Sequence, residues 1–477
     1  MSDRVFVKKG FDAGKVQAFI AACAEDGINL RAMQIYKSGE PAVKVCMAPY
    51  RFDMPMHLYS LSKSFTSAAV GICCDAGLLS PDTVVSELMP ERMPADLSAD
   101  AKKIKIRDLL SMQSGHNECK LYKMRWADDA VKAFFEQPIT YEPGTKFTYN
   151  TGATCVCAAC VEKVTGMKQV DFLYEKLFKK LGIKKPRWRE TRDGTCLGGT
   201  GLYLSSDDIT KFGLMLANGG AWNGERILSE EYIKLATQKH SQDSNNGSPD
   251  WVAGYGFQFW LNSRGGFRGD GAFGQLLLVF PERDIVMSFL SETGDMAKEM
   301  LHIYSLLDMV ESGEGGLQEL EEYANTRYLP ALQEPFCSDV AYEVGENGIG
   351  LKKLRFYGEN LLHAVLETDY GVHEFVCGKE DFILNHLVLR NLNPNIGFLD
   401  PDTGSLERVS VFAAYRDSAH GKTEGLRGKE IILRHADTCH VQRWFIENGK
   451  LHIRLFVGDL PEREFALTEI PAQAEQK

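Results

Sequence analysis

Ser60 and Lys63 stand three residues apart in the stretch "LYSLSKSFTSAAVGICCDAGLLS", which runs from Leu58 to Ser80. A serine hydroxyl attacks a carbonyl well only when a neighbouring base takes its proton. On a helix, residues i and i+3 share a face, so the Lys63 amine can reach the Ser60 oxygen. A helix N-terminus adds partial positive charge and free backbone N–H groups beside Ser60. That field, with burial among Leu58, Phe65 and Ala68, would lower the lysine pKa and let it act as the base. Taken alone, the same pattern also describes the polar first turn of an ordinary helix, where serine is a common cap.

Two other clusters invite a chemical reading and do not sustain it. Cys155, Cys157 and Cys160 lie close together, but on a helix Cys157 points away from the other two and no histidine follows at zinc spacing. His435 and His440 sit in a strand-rich region without carboxylates at a fixed offset. No metal site and no organic cofactor are expected. Of the 12 cysteines, Cys73, Cys74, Cys155 and Cys160 fall in apolar helical patterns and read as buried small hydrophobes.

The elements that would carry the serine and lysine can be traced along the chain. Val16, Phe19, Ile20 and Cys23 repeat at helical spacing. Two alternating runs then flank the turn Lys37-Ser38-Gly39-Glu40, predicting a hairpin. The Ser60 helix follows, with Phe65, Ala68, Ala69, Ile72, Cys73 and Ala76 as its apolar face and Gly77 closing it. "LSSDDITKFGLMLANGG" is a serine-capped helix with Asp207 and Asp208 in its first turn. "FGQLLLVFPERDIVMSFLSE" reads as two buried strands joined at Pro281–Asp284, and "MAKEMLHIYSLLDMV" as a helix. The acidic, glycine-bearing "ESGEGGLQELEEYANTR" reads as a linker. Short alternating runs follow, with a hairpin turn at Asn448-Gly449, and suggest a barrel or sandwich. The expected domains are therefore 1–315, a linker over 316–335, and an antiparallel β domain over 336–477.

With 477 residues, 44% hydrophobic and 25% charged, the chain has the composition of a multidomain globular protein. A formal net charge of −11 gives no electrostatic support to nucleic-acid binding. The first residues lack the pattern of a secretory signal, and no apolar run reaches the ~18 residues of a membrane span. A cytoplasmic location is expected, with no membrane or nucleic-acid partner. Self-association into a homo-oligomer is compatible with this composition.

Five segments in order, over roughly residues 25–310, resemble the serine β-lactamase and penicillin-binding-protein superfamily, in particular its class C β-lactamase and esterase branch. They are the Ser60 segment; "IKIRDLLSMQSGH", with the family's Leu-Leu-x-x-x-Ser-Gly; "EPGTKFTYNTGATCVCAACVEKVTG"; "GGTGLYLSSDDITKFGLMLANGGAWNGERILSEEYI"; and "GDGAFGQLLLVFPERDIVMSFLSE". The resemblance implies an α+β fold, an antiparallel sheet flanked by helices plus a helical subdomain, with the site between them. It implies Ser60 as acyl-accepting nucleophile, Lys63 as its base partner and Tyr149 as a second proton carrier, its pKa lowered by the adjacent ammonium. The oxyanion hole would be the backbone amides of Ser60 and Ala272.

Two departures from the family pattern bear on substrate. The Tyr-x-Asn motif reads Tyr149-Asn150-Thr151, with Thr151 or Asn150 left to contact substrate. The Lys-Thr-Gly or His-x-Gly motif reads Gly269-Asp270-Gly271, without a cation. Arg268 is adjacent, but strand neighbours point to opposite faces. Losing the cation that would hold a substrate carboxylate argues for a small neutral ester or amide. The expectation is thus a serine hydrolase working through an acyl-enzyme on Ser60. Its rivals are a D-amino-acid peptidase, β-lactamase or penicillin-binding activity, and a catalytically silent binding protein of the same fold.

Overall fold

In a computed structural model the described residues are 4–119, 121–244, 246–309, 315–328, 338–347, 349–379, 381–390, 406–417, 429–455 and 463–470. Parts of the expected linker (329–335) and of the last alternating run (456–458) lie outside them.

The N-terminal region is organised around a seven-stranded sheet. Its elements are β1 (Val5–Val7), α1 (Ala13–Glu25), β2 (Asn29–Lys37), β3 (Glu40–Cys46), α2 (Ser62–Asp75), α3 (Thr151–Thr165), α4 (Ser206–Ala217), β4 (Trp260–Leu261), β5 (Phe267–Gly271), β6 (Gln275–Phe280), β7 (Ile285–Glu292) and α5 (Met296–Met309). The strand order is β1-β3-β2-β7-β6-β5-β4, antiparallel throughout. The hairpin β2–β3 turns at Ser38 and Gly39, both at positive φ (51° and 79°), the two-residue geometry that suits twisted strands.

Helices cover both faces of the sheet, and β6 shows why its sequence is apolar without a break. Side chains alternate across a strand. Leu276, Leu278 and Phe280 enter the core shared with α1 and α5. Leu277 and Val279 enter the core shared with α2, α3 and α4. Helix α3 is buried from Thr151 through Val161, because neighbours surround it. Cys155, Cys157 and Cys160 are therefore all fully buried. Cys74, expected to be buried, is only half-buried.

Within the stretch read as a linker, residues 317–326 form a helix, α6 (Leu317–Thr326). Leu320 and Ala324 fill the core beneath α1 and the sheet. The acidic residues that suggested a linker occupy the outer face of this amphipathic helix, whose inner face presents only a few apolar groups.

Ten antiparallel strands follow: β8 (Ser338–Val344), β9 (Leu351–Gly358), β10 (Leu362–Thr368), β11 (Gly371–Cys377), β12 (Ile383–Arg390), β13 (Leu406–Asp417), β14 (Lys429–His435), β15 (Val441–Glu447), β16 (Lys450–Leu455) and β17 (Arg463–Ile470). They form one sheet in the order β11-β10-β9-β8-β17-β16-β15-β14-β13-β12. A bridge from Gly378, just after β11, to Ala414 on β13 brings one edge of the sheet back to the other side, so the sheet curls into a near-barrel around Phe356, Phe375, Val411, Leu433, Trp444 and Ile453. Asn448 and Gly449 form its β15–β16 turn, both at positive φ. Among the described residues no helix is long and apolar enough to cross a membrane.

Candidate active site

The nucleophile turn begins where the extended pair Met56–His57 ends. Leu58 N–H donates to Leu202 O (2.9 Å), and Tyr59 then takes a left-handed conformation, φ +46°. That reversal starts a single 3-10 turn, Tyr59–Leu61, which feeds α2. Ser60 therefore sits just before the α-helix, whose first residue is Ser62. Lys63 still lies one turn on and is 1% exposed. Its Nζ donates to Ser60 Oγ (3.0 Å), Thr151 Oγ1 (3.1 Å) and Gly199 O (2.8 Å). Burial drives its pKa down to about 7, against the opposing charges of Cys119 and Asp270. Removal from water disfavours the ammonium, which brings the neutral amine within reach near neutral pH, 3.0 Å from Ser60 Oγ.

Tyr149 lies across this pair. The Lys63 ammonium is 4.8 Å from the centroid of its ring, and the ring stacks on Trp260 (5.7 Å, 16°). Burial pushes the phenol pKa well up, the Asp270 charge pushes it further, and the Ser60 hydroxyl offsets only part of this. The expectation of a lowered tyrosine pKa is thus reversed. Half-buried against Trp260 and Tyr255 and near the Asp270 charge, a phenolate costs more than one nearby amine returns, so Tyr149 is a neutral hydroxyl here.

Thr151 and Asn150 take different tasks. Thr151, the first residue of α3, contacts Lys63. Asn150 caps α3: its Oδ1 accepts from Gly152 N–H (3.0 Å). Its side chain is thus committed to the helix N-terminus, and it does not stand in for the missing family asparagine beside Lys63.

Strand β5 closes the other side. A Cβ on Gly271 would fall 2.0 Å from Leu58 O, so only glycine lets this strand run against the nucleophile turn. Ala272 and Phe273, the next residues, pack on Tyr59. A Cβ on Gly269 would fall 2.4 Å from Leu61 Cδ1 and 2.6 Å from Ser64 Oγ. The place of the family cation is therefore filled by α2 itself. Arg268 and Asp270 face away from Gly269 and bind each other, Nε to Oδ2 at 3.0 Å. Trp251 and Trp260 flank the Arg268 guanidinium at 4.7 and 5.8 Å, and it also donates to Asp250 O (3.1 Å) and Leu261 O (3.2 Å). Arg268 makes no contact with Ser60, Lys63 or Tyr149 among these bonds.

Several participants have no local sequence signal. The Gly199 carbonyl holds Lys63, and a Cβ there would strike Thr151 Cγ2 at 2.6 Å. Only the glycine-rich "GGTG" run, residues 198–201, hinted at close backbone approach. Cys119 and Trp260 reach the site through loops and an edge strand.

Comparison with known proteins agrees with this geometry. The family model described as Beta-lactamase matches residues 17–307. The 6-aminohexanoate-dimer hydrolase of Paenarthrobacter ureafaciens is 26% identical over 286 residues, 55% of this chain and 73% of that protein. A candidate β-lactamase from Bacteroides dorei superposes with TM-score 0.55 at 16% identity, over 63% of this chain and all of the other. The octameric penicillin-binding protein homologue of Pyrococcus abyssi superposes with TM-score 0.51 at 16% identity, over 95% of this chain and all of the other, so the fold likeness extends into the near-barrel. A serine with its lysine at the head of a buried helix, in a sheet and helix frame matched over most of its length, places this chain in the β-lactamase family, as a serine hydrolase.

Proposed function

We propose that the chain cleaves a small neutral ester or amide through an acyl-enzyme on Ser60. The observation that carries this reading is the buried Lys63 amine, 3.0 Å from Ser60 Oγ and with a pKa of about 7. Neutral Lys63 takes the Ser60 proton as Oγ bonds to the substrate carbonyl carbon. The backbone N–H groups of Ser60 and Ala272 stabilise the oxyanion. As the tetrahedral adduct collapses, the leaving group receives a proton from protonated Lys63, relayed by the neutral Tyr149 hydroxyl. Water then repeats the sequence on the acyl-enzyme and frees Ser60.

Neutrality of the substrate follows from Gly269. No cation stands there to hold a carboxylate, and Leu61 and Ser64 occupy its space. Gly269 and Gly271 border the site as backbone packed on the nucleophile turn, and the Asp270 carboxylate is held by Arg268. The similarity to a 6-aminohexanoate-dimer hydrolase supports an amide as the second reading, within the class C-like branch with its Ser-x-x-Lys motif. A cytoplasmic setting and a homo-oligomeric state accord with this reading.

The test is intact-protein mass after incubation with p-nitrophenyl butyrate, a fluorophosphonate and benzylpenicillin, beside Ser60→Ala. We expect a mass gain from the ester and fluorophosphonate, none from penicillin, and none with any reagent in Ser60→Ala. A penicillin adduct on Ser60 would return the protein to the penicillin-binding rival. Labelling that survives Ser60→Ala would remove Ser60 as nucleophile.

A further inference from the structure

One turn of the near-barrel lies against the catalytic machinery. Residues 436–440 connect β14 to β15, and this turn lies against the nucleophile turn. Asp437 O accepts from His57 N–H (2.8 Å). Cys439 Sγ is 3.1 Å from Tyr59 Oη, and His440 Nε2 is 3.5 Å from the same oxygen. The His440 ring meets Phe273 edge-on, 6.3 Å between centroids. Tyr59 and Phe273 in turn pack edge to face at 5.1 Å. Tyr59, Cys439, Ala272 and Phe273 form one small hydrophobic cluster.

The two residues gripped by this turn share a backbone feature. Tyr59 (φ +46°) and Phe273 (φ +69°) are both large aromatics in the left-handed region. For non-glycine residues with bulky side chains this conformation costs energy and persists only where surroundings enforce it. Tyr59 precedes Ser60, and Phe273 follows Ala272. The strained pair therefore brackets the two amides assigned to the oxyanion hole.

We propose that Cys439 and His440 are positioning residues: the near-barrel, through its 436–440 turn, holds Tyr59 and Phe273 in their left-handed conformations and so aims the Ser60 and Ala272 amides. This inference rests on the Ser60 reading above, but its structural half is measurable without turnover. The turn is well built for the task. His435 N–H bonds His440 O (2.9 Å), Ala436 N–H bonds Ser410 O (2.8 Å), and Arg31 donates to His435 O (3.0 Å). It is anchored at both the barrel and the sheet. Burial and the nearby Arg31 and Arg189 drive the His440 pKa down to about 3, so it brings no charge to the oxyanion at neutral pH.

The experiment compares the full chain with Cys439→Ala, Cys439→Ser and Tyr59→Phe. Three readouts are taken: the rate of fluorophosphonate labelling, kcat and KM for p-nitrophenyl butyrate, and hydrogen exchange in peptides covering 58–62 and 271–275. Small displacements of oriented groups cost one to two orders of magnitude in rate. We expect Cys439→Ala and Tyr59→Phe to label about tenfold more slowly, through kcat with KM unchanged, and to exchange faster in both peptides. Cys439→Ser, which keeps a polar partner for Tyr59, should recover most of the rate. Labelling at the wild-type rate in Cys439→Ala and Tyr59→Phe overturns the proposal, whatever the exchange shows. So does a loss of rate that merely follows a lowered unfolding temperature. If the wild type does not label at all, the Ser60 reading falls. Hydrogen exchange then decides the coupling alone: faster exchange supports it, and unchanged exchange overturns it.

Discussion

At the residue scale the chemistry turns on which group is neutral at working pH. Lys63 is the one group in the cluster whose pKa burial brings to about 7, while Tyr149 is pushed far above it. In the proposed mechanism the base of the free enzyme is therefore the amine, and the phenol is a donor. A base must be unprotonated, so kcat/KM should fall about tenfold per pH unit below an apparent pKa of about 7 and level off above it. A pH–rate profile with p-nitrophenyl butyrate checks this. Lys63→Met should lose most of the rate and, in whatever remains, that acid limb. A limb unchanged in Lys63→Met would assign the titration to another group.

At the element scale, two glycines on β5 set the distance between sheet and nucleophile turn. Gly271 faces a backbone carbonyl, 2.0 Å from the position of an added Cβ, and a carbonyl cannot rotate away. Gly271→Ala should push β5 off the turn and slow Ser60 labelling at least tenfold, since the Ala272 amide moves with it. Gly269 faces the movable end of Leu61 and the Ser64 hydroxyl, which is tied to Gln258 O (3.0 Å). Gly269→Lys, which would restore the family cation, should cost about 1–3 kcal/mol by overpacking. It should bring no penicillin acylation. Urea unfolding and intact mass measure the two effects. A stable Gly269→Lys that binds penicillin would show that the missing cation alone set substrate choice.

At the scale of the whole molecule, the catalytic region and the near-barrel share a buried ionic knot. Glu292, at the end of β7, accepts from Arg31 Nε (2.7 Å) and Tyr50 Oη (3.0 Å). Arg434, at the end of β14, reaches the same carboxylate at 3.1 Å. Burial alone would raise the Glu292 pKa, but the two guanidiniums outweigh it and the net shift is downward. A carboxylate depressed in the fold adds stability above the ordinary glutamate range, and that stability is lost as pH falls through its lowered value. Glu292→Gln leaves two buried guanidiniums short of their counter-charge and should cost about 3–5 kcal/mol at pH 7. The penalty should shrink in acid, where the wild type loses the same charge. Chemical denaturation of both proteins at pH 7 and pH 4 checks it, and an equal difference at both pH values would contradict the assignment. The knot also anchors the barrel end from which the 436–440 turn departs.

What the sequence determined by itself was whatever depends on local spacing. Ser60 and Lys63 one helical turn apart, the capped helix α4, the Ser38-Gly39 and Asn448-Gly449 hairpins and the apolar pair β6–β7 all follow from neighbours in the chain. The family's ordered segments add the frame that joins them. What only the tertiary structure decided depends on groups distant in sequence. The direction of the Tyr149 shift is set by Trp260, Tyr255 and Asp270 enclosing it, not by its motif. The Lys63 pKa needs the walls that α3 and Gly199 supply. The acidic stretch before the near-barrel became a helix because two residues, Leu320 and Ala324, found a core to fill, a fact invisible in its charge. His440, without a carboxylate at a fixed offset, and Cys439 meet Tyr59 only through tertiary packing. Desolvation and long-range packing are properties of enclosure, and enclosure is not written in any single stretch of chain.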